Sequence, residues 1–312
     1  MIDITFIGTG ALMPIPDRAL ISIFLRHMGK SILFDCGEGT QSAAKKAGVN
    51  LQGVDLIALT HYHGDHIFGL PGLLQSLSCF GREEPLYITG PKGLRERLAP
   101  ILTICTDVLF EIRLIEIPDE GLDLSSLGFM PGAYLSAFPT EHSVISQGYV
   151  FSLRRKGKFL KDQADALHIP PALRGKLHQG ESVIIDGRTI CPSDVMTPER
   201  KGLKVVYSGD TTRCNSLTEN ARDADLFICE ATFAEDEHTD KALERGHMTF
   251  RMAAQTAREA NVKTLCLAHF SPRVTDPNEY LTNATEEFEN AVICEDGKTI
   301  TLSFEESKDQ ES

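Results

Sequence analysis

The chain has 312 residues, with 31 Lys and Arg against 44 Asp and Glu and a formal net charge of −13. Its 42% hydrophobic and 24% charged residues suit a globular protein with a full core, and no run of eighteen apolar residues marks a membrane span. So acidic a balance, taken alone, argues against a polyanionic substrate, because phosphate binding needs Lys and Arg to displace counterions.

Met1-Ile2-Asp3-Ile4 carries no basic segment followed by a long apolar run, so no secretory signal is expected. The opening reads as β-runs: Ile2 to Ile7, Leu20 to Leu25 and Ser31 to Phe34, the last ending in the turn-rich Asp35-Cys36-Gly37-Glu38-Gly39. Gln41 to Ala47 reads as helix, and Val54 to Leu59 as a buried strand. The second half repeats the pattern. Leu203 to Tyr207 stops at Ser208-Gly209-Asp210, and Leu226 to Cys229 stops at Glu230. Thr249 to Ala260 has helical spacing, and Thr264 to Ala268 is a strand ending at His269. Strands alternating with helices in both halves predict an α/β sandwich of two sheets with helices outside. The segment from about Leu153 to Gly180 is polar and weakly patterned, which suits an extension from the core.

Eight cysteines, none in a Cys-x-x-Cys pair, read as buried free thiols in a reducing cytosol.

The segment with most chemistry is Thr60-His61-Tyr62-His63-Gly64-Asp65-His66, directly after a buried strand. Imidazole and carboxylate are the ligands of zinc in hydrolytic sites. The tight turn lets His61 and His63 share one metal and Asp65 and His66 a second. Three further candidates each end an apolar run: His142, Asp210 and His269. Strand ends are where α/β proteins collect functional groups. Two zinc ions in such a set bring hydroxide within reach at neutral pH and clamp an in-line displacement at phosphorus.

His61-Tyr62-His63-Gly64-Asp65-His66 is similar to the signature of the metallo-β-lactamase superfamily. Further segments resemble the ribonuclease Z family: Phe6-Ile7-Gly8-Thr9-Gly10, Asp35 to Gln41, His66 to Leu73, His142-Ser143, Ser208-Gly209-Asp210-Thr211 and His269-Phe270-Ser271. The resemblance runs nearly end to end. It implies an αββα sandwich of the metallo-β-lactamase type with a protruding arm, all 312 residues forming one domain and 153–180 the inserted flexible arm. It also implies two Zn2+ per subunit: His61, His63 and His142 on one, Asp65, His66 and His269 on the other, and Asp210 between them. Asp65 would orient the attacking hydroxide or act as base. His247 would protonate the leaving 3′ oxygen, held protonated by Glu230.

The implied activity is hydrolysis of a phosphodiester at the 3′ end of precursor tRNA, removing the trailer and leaving a 3′-hydroxyl on the tRNA. A cytoplasmic homodimer is implied with it. The alternative is a hydrolase of small phosphodiesters or other esters with the same metal ligands. Three residues depart from the family pattern: Ala19 for Asn, Cys229 for His and Met248 for Ser.

The expected arm answers part of the charge objection. Between Arg154 and His178 seven basic residues stand against Asp162 and Asp165, a local charge of +5. Arg154, Arg155, Lys156, Lys158, Arg174 and Lys176 are its candidate tRNA contacts.

Overall fold

The structure, a computed structural model, describes residues 1–305. Its strands form two seven-stranded sheets and a small hairpin. The first sheet runs in the order Thr299–Leu302, Ile2–Gly8, Ser22–His27, Lys30–Phe34, Leu56–Ala58, Leu86–Thr89, Ile112–Ile115. Its first three pairings are antiparallel and its last three parallel. The second sheet runs Ala291–Ile293, Leu265–Ala268, Leu226–Glu230, Arg200–Tyr207, Ser146–Arg155, Ala133–Thr140, Leu122–Asp123, with its first three pairings parallel.

Burial on both faces explains why the parallel strands read as unbroken apolar runs. Every residue of Leu56–Ala58, Leu226–Glu230 and Leu265–Ala268 is buried. The sheets meet through Phe34, whose ring centroid lies 5.6 Å from Tyr149 and 5.9 Å from Tyr207. Tyr149 also donates its hydroxyl to the carbonyl of Leu59 at 2.6 Å, tying one sheet to the other.

Helices cover both outer faces, completing the αββα layering. Leu70–Cys79 packs Leu73, Leu74 and Leu77 onto Leu33, Ile57 and Ile88. On the other side, Phe250–Glu259 presents Phe250, Ala253, Ala254 and Ala257 to Phe227, Leu265 and Leu267. This is the i, i+3, i+4, i+7 stripe of an amphipathic helix. Its start is fixed by Thr249, whose hydroxyl accepts from the Met252 amide. Truncating a fully buried leucine here, Leu74 or Leu267, costs about 2–5 kcal/mol.

A second compact unit comprises Leu153–Leu203, so it extends beyond Gly180. The polar stretch folds into helices Lys161–Ala166 and Pro171–Gln179, and the hairpin Val183–Ile185 with Arg188–Ile190 follows. Ala164, Ile169, Leu177, Val183, Ile190 and Val195 close a small core. No described helix is long and apolar enough to cross a membrane. All eight cysteines are free, but Cys79 and Cys191 are exposed and Cys214 half-buried, so the expectation of buried thiols holds only for the other five. Their weakly apolar surroundings reach the surface because both exposed cysteines lie at element ends.

The carboxyl ends of the parallel strands all deliver polar residues: Asp35, Thr60 and His61 from the first sheet, Asp210, Glu230 and His269 from the second.

Candidate metal centre

The His-rich motif divides at Gly64. His61 and His63 lie in extended chain after the strand, two residues apart and so on one side. Gly64–Ile67 is then a single helical turn that carries Asp65 and His66 away from them. Gly37 makes this turn possible. A side chain on it would collide with the carbonyl oxygen of Asp65 and with Leu20.

Two donor groups result. In one, His61 Nε2 lies 3.0 Å from His63 Nδ1, and His142 Nε2 lies 3.3 Å from the same His63 atom. In the other, His66 Nε2 lies 3.3 Å from His269 Nε2, with Asp65 Oδ2 at 3.6 Å from His269 and 3.9 Å from His66. Asp210 stands between them. Its Oδ1 is 3.4 Å from His66 and 3.3 Å from His269, and its Oδ2 is 3.8 Å from His61 and 4.0 Å from His142.

These nitrogens face one another instead of a protein partner. A divalent metal held tetrahedrally by donors about 2.0–2.1 Å away sets those donors about 3.3 Å apart. Asp210 Oδ1, buried, takes no aligned hydrogen bond among the described residues. Nitrogen and carboxylate donors at these separations, with one buried oxygen left over, fit a divalent metal.

Three of the rings are fixed from behind. His66 Nδ1 donates to Asp35 Oδ2 at 2.8 Å, and Tyr207 donates its hydroxyl to the same oxygen at 2.8 Å. The Thr60 amide donates to Asp35 Oδ1 at 2.8 Å. Asp35 holds this position with φ of +55°, in the left-handed region. His142 Nδ1 donates to the carbonyl of Gly246 at 2.9 Å. His269, also left-handed at φ +63°, sets Nδ1 3.0 Å from the hydroxyl of Thr232. Such contacts fix the tautomer and aim the other nitrogen inward.

Beside the donors, Glu230 Oε1 accepts from His247 Nδ1 at 2.8 Å. The carboxylate is buried, yet it also accepts from the amides of Thr211, Thr232 and Met248 and from the Thr232 hydroxyl. Met248 uses only its backbone here, and Cys229 points into the core under the second sheet.

The charges follow from these neighbours. Burial pushes the His61 imidazolium well below its usual range, assisted by His66. Burial pulls His66 the same way, but Asp210 and Asp35 prevail and raise it well above. Against burial, His269 and His66 drive Asp65 and Asp210 below the carboxylate range. His247 is also lowered by burial, but the charge and hydrogen bond of Glu230 bring it up to about 9.

All seven expected donors thus converge, and His247 with Glu230 lies against them. His63, Asp65, His142, Asp210, His247 and His269 line a cavity of about 830 Å3. Asp35 was missed as a supporting residue, although it ends an apolar run just as Asp210 and His269 do. Arg18, a residue near the motifs, is instead buried, donating to the carbonyls of Val274 and Thr275 and stacking over Phe270. The basic residues Arg154, Arg155, Lys156, Lys158, Arg174 and Lys176 belong to the second unit. There Arg174 donates to Asp165 and to the carbonyl of Ile169, and Lys156 to the carbonyls of His178 and Gln179.

Known proteins resemble this chain in sequence and in fold. Residues 21–156 match the family profile of the metallo-beta-lactamase superfamily, and residues 195–270 that of the beta-lactamase superfamily domain. A protein of Agathobacter rectalis named ribonuclease Z is 40% identical over 306 residues, covering 98% of this chain and 100% of its own. Its namesake from Clostridioides difficile shows the same identity and coverage. The crystal structure of human tRNase Z, short form, superposes with a TM-score of 0.67 at 28% identity, covering 97% of this chain and 100% of the human one.

Proposed function

Because the chain belongs to the ribonuclease Z family, a group of metal-dependent endoribonucleases, we propose that its donor set holds two zinc ions and cuts precursor tRNA at the 3′ end. The protein is a metal-dependent hydrolase that removes the 3′ trailer and leaves a 3′-hydroxyl on the tRNA. The observation that carries the two-ion reading is Asp210, whose two oxygens face different donor groups. His61, His63 and His142 hold one ion, and Asp65, His66 and His269 the other. When bound, zinc supplies Lewis acidity and ionises water at neutral pH.

The chain's own groups do the rest. Asp65, held as carboxylate, orients the attacking oxygen and accepts its proton through the oxygen not engaged by the Leu12 amide. His247, held protonated by Glu230, delivers a proton from Nε2 to the departing 3′ oxygen of the tRNA. Glu230, anchored by three backbone amides, keeps that ring in place through the proton transfer. The cations of Leu153–Leu203 supply phosphate contacts on a chain whose formal net charge is −13. A cytoplasmic homodimer completes this reading.

The test is incubation of the zinc-loaded protein with a 3′-extended precursor tRNA, alongside Asp65→Ala and His247→Ala. Cleavage at the acceptor end, abolished in the first variant and strongly reduced in the second, is the expected result. Intact tRNA together with turnover of a small phosphodiester would reassign the substrate.

A further inference from the structure

The cavity above the donors contains a side chain that the hydrolytic chemistry does not use. Phe68 follows the metal motif directly and caps the one-turn helix Gly64–Ile67. It lines the cavity with 64% of its surface exposed. Its ring packs against Gly64. A methyl group on that glycine would sit 2.5 Å from ring carbon Cε2, so the ring occupies the space a side chain would take. The adjoining loop is arranged likewise: Leu12 is 75% exposed, and its amide donates to Asp65 Oδ2 at 2.7 Å. Two bare apolar side chains therefore flank Asp65, within a cavity whose other lining includes Lys241, Arg245 and Arg273.

No core requirement accounts for an exposed phenyl ring at that point. A phosphate held over the donors brings its attached groups into the cavity that this ring lines. In RNA the groups attached to that phosphate are nucleosides, each with an aromatic face. An aromatic platform beside cationic side chains is how proteins hold single-stranded nucleic acid, because every base can stack and every linkage carries charge. We infer that Phe68 is a substrate-positioning residue, the stacking platform for a nucleobase adjoining the scissile phosphate. Leu12 packs against the edge of that base, and the three cations hold neighbouring phosphates. This rests on the RNA reading of the site, and it adds a recognition element that the metal ligands and the His247–Glu230 pair do not supply.

The chain contains no tryptophan, so Phe68→Trp introduces a single fluorophore at the proposed platform. Three measurements are compared in wild type, Phe68→Ala and Phe68→Trp: kcat/KM on precursor tRNA, kcat/KM on the same precursor made abasic on both sides of the scissile phosphate, and, for the Trp variant, emission on titration with a short single-stranded RNA. The inference predicts that Phe68→Ala lowers kcat/KM on intact precursor tRNA about tenfold or more while cleavage of the abasic precursor stays within twofold. Phe68→Trp restores tRNA cleavage, and its emission is quenched by the RNA. Removing the base on either side of the scissile phosphate abolishes the difference between wild type and Phe68→Ala. Wild-type cleavage by Phe68→Ala would overturn the inference. So would equal loss of both activities, which would make the ring a support of the motif loop. If wild type leaves precursor tRNA whole but the tryptophan is quenched by single-stranded RNA, the platform stands and the tRNA reading fails. Absence of both cleavage and quenching overturns both.

Discussion

His66 Nδ1 and Asp35 Oδ2 lie 2.8 Å apart with both side chains fully buried, and this contact aims His66 Nε2 at Asp210 and His269. The same carboxylate collects the Thr60 amide and the Tyr207 hydroxyl, so a single side chain joins the motif loop to both sheets. Replacing Asp35 with Ala frees the His66 ring and takes the buried acceptor from the Thr60 amide and hydroxyl and the Tyr207 hydroxyl. Metal affinity is expected to fall about 10–100-fold, measured by competition with a chromophoric chelator. Stability falls by about 3 kcal/mol in denaturant titration. Unchanged metal affinity in a folded Asp35→Ala protein would show that the contact does not aim the ring.

His247→Ala is expected to lower the rate of RNA cleavage by roughly 10²–10⁴, the usual contribution of a positioned acid. It should scarcely affect bis(p-nitrophenyl) phosphate, whose leaving group departs as a stable anion. A comparable loss on both substrates would place His247 in the support of the metal donors instead.

The pH dependence has a definite sign. Glu230 raises the His247 imidazole to about 9, so the acid stays protonated, and the alkaline limb of kcat/KM falls near that value. Glu230→Gln removes the charge that raises it, and the limb moves to lower pH, toward the ordinary histidine range near 6.5. Folding shows the same sign. The stabilisation from this pair is complete below about pH 6.5 and is lost as pH rises through about 9. Identical alkaline limbs in wild type and Glu230→Gln would contradict this assignment.

Gly37→Ala tests the close approach beneath the motif. The added methyl meets backbone, the Asp65 carbonyl oxygen, which cannot swing aside as a side chain does. Destabilisation of about 1–3 kcal/mol is expected, together with weaker metal binding, since the displaced residue is a donor. Calorimetry with and without added zinc separates the two effects.

In the unit Leu153–Leu203, replacing Arg154 and Arg155 with Ala should weaken binding of precursor tRNA. It should also flatten the plot of log affinity against log salt by about 0.9 for each phosphate that is no longer neutralised. Excising 154–178 alone is the poorer experiment. It removes Ala164, Ile169 and Leu177 and strips one side of the core that Val183, Ile190 and Val195 complete.

The sequence reveals the donors because the His-rich motif follows one apolar run directly and His142, Asp210 and His269 close three others. Doubly buried parallel strands produce such runs, and their carboxyl ends are where both sheets present His61, Asp210 and His269. Asp35 obeys the same rule, but its meaning depends on His66, 31 positions later, and Tyr207, 172 positions later. Thr60 and Thr232 are harder still to read, since a threonine hydroxyl behind an imidazole looks in sequence like any strand-end threonine. The helices of 161–179 were hidden for another reason. Lys161–Ala166 and Pro171–Gln179 each bury few residues, and the hairpin after them closes the core, so no stripe announces them locally.

The division of donors between the two sheets also bears on synthesis. A chain growing from its amino terminus displays His61, His63, Asp65 and His66 early, but Asp210 and His269 come only in its last third. Until those residues have left the ribosome and the second sheet has closed on the first, no stretch of the nascent chain carries the whole set. A nuclease assembled in this way stays inert beside the RNA-rich machine that makes it, and becomes able to cut only once nearly all of it has emerged.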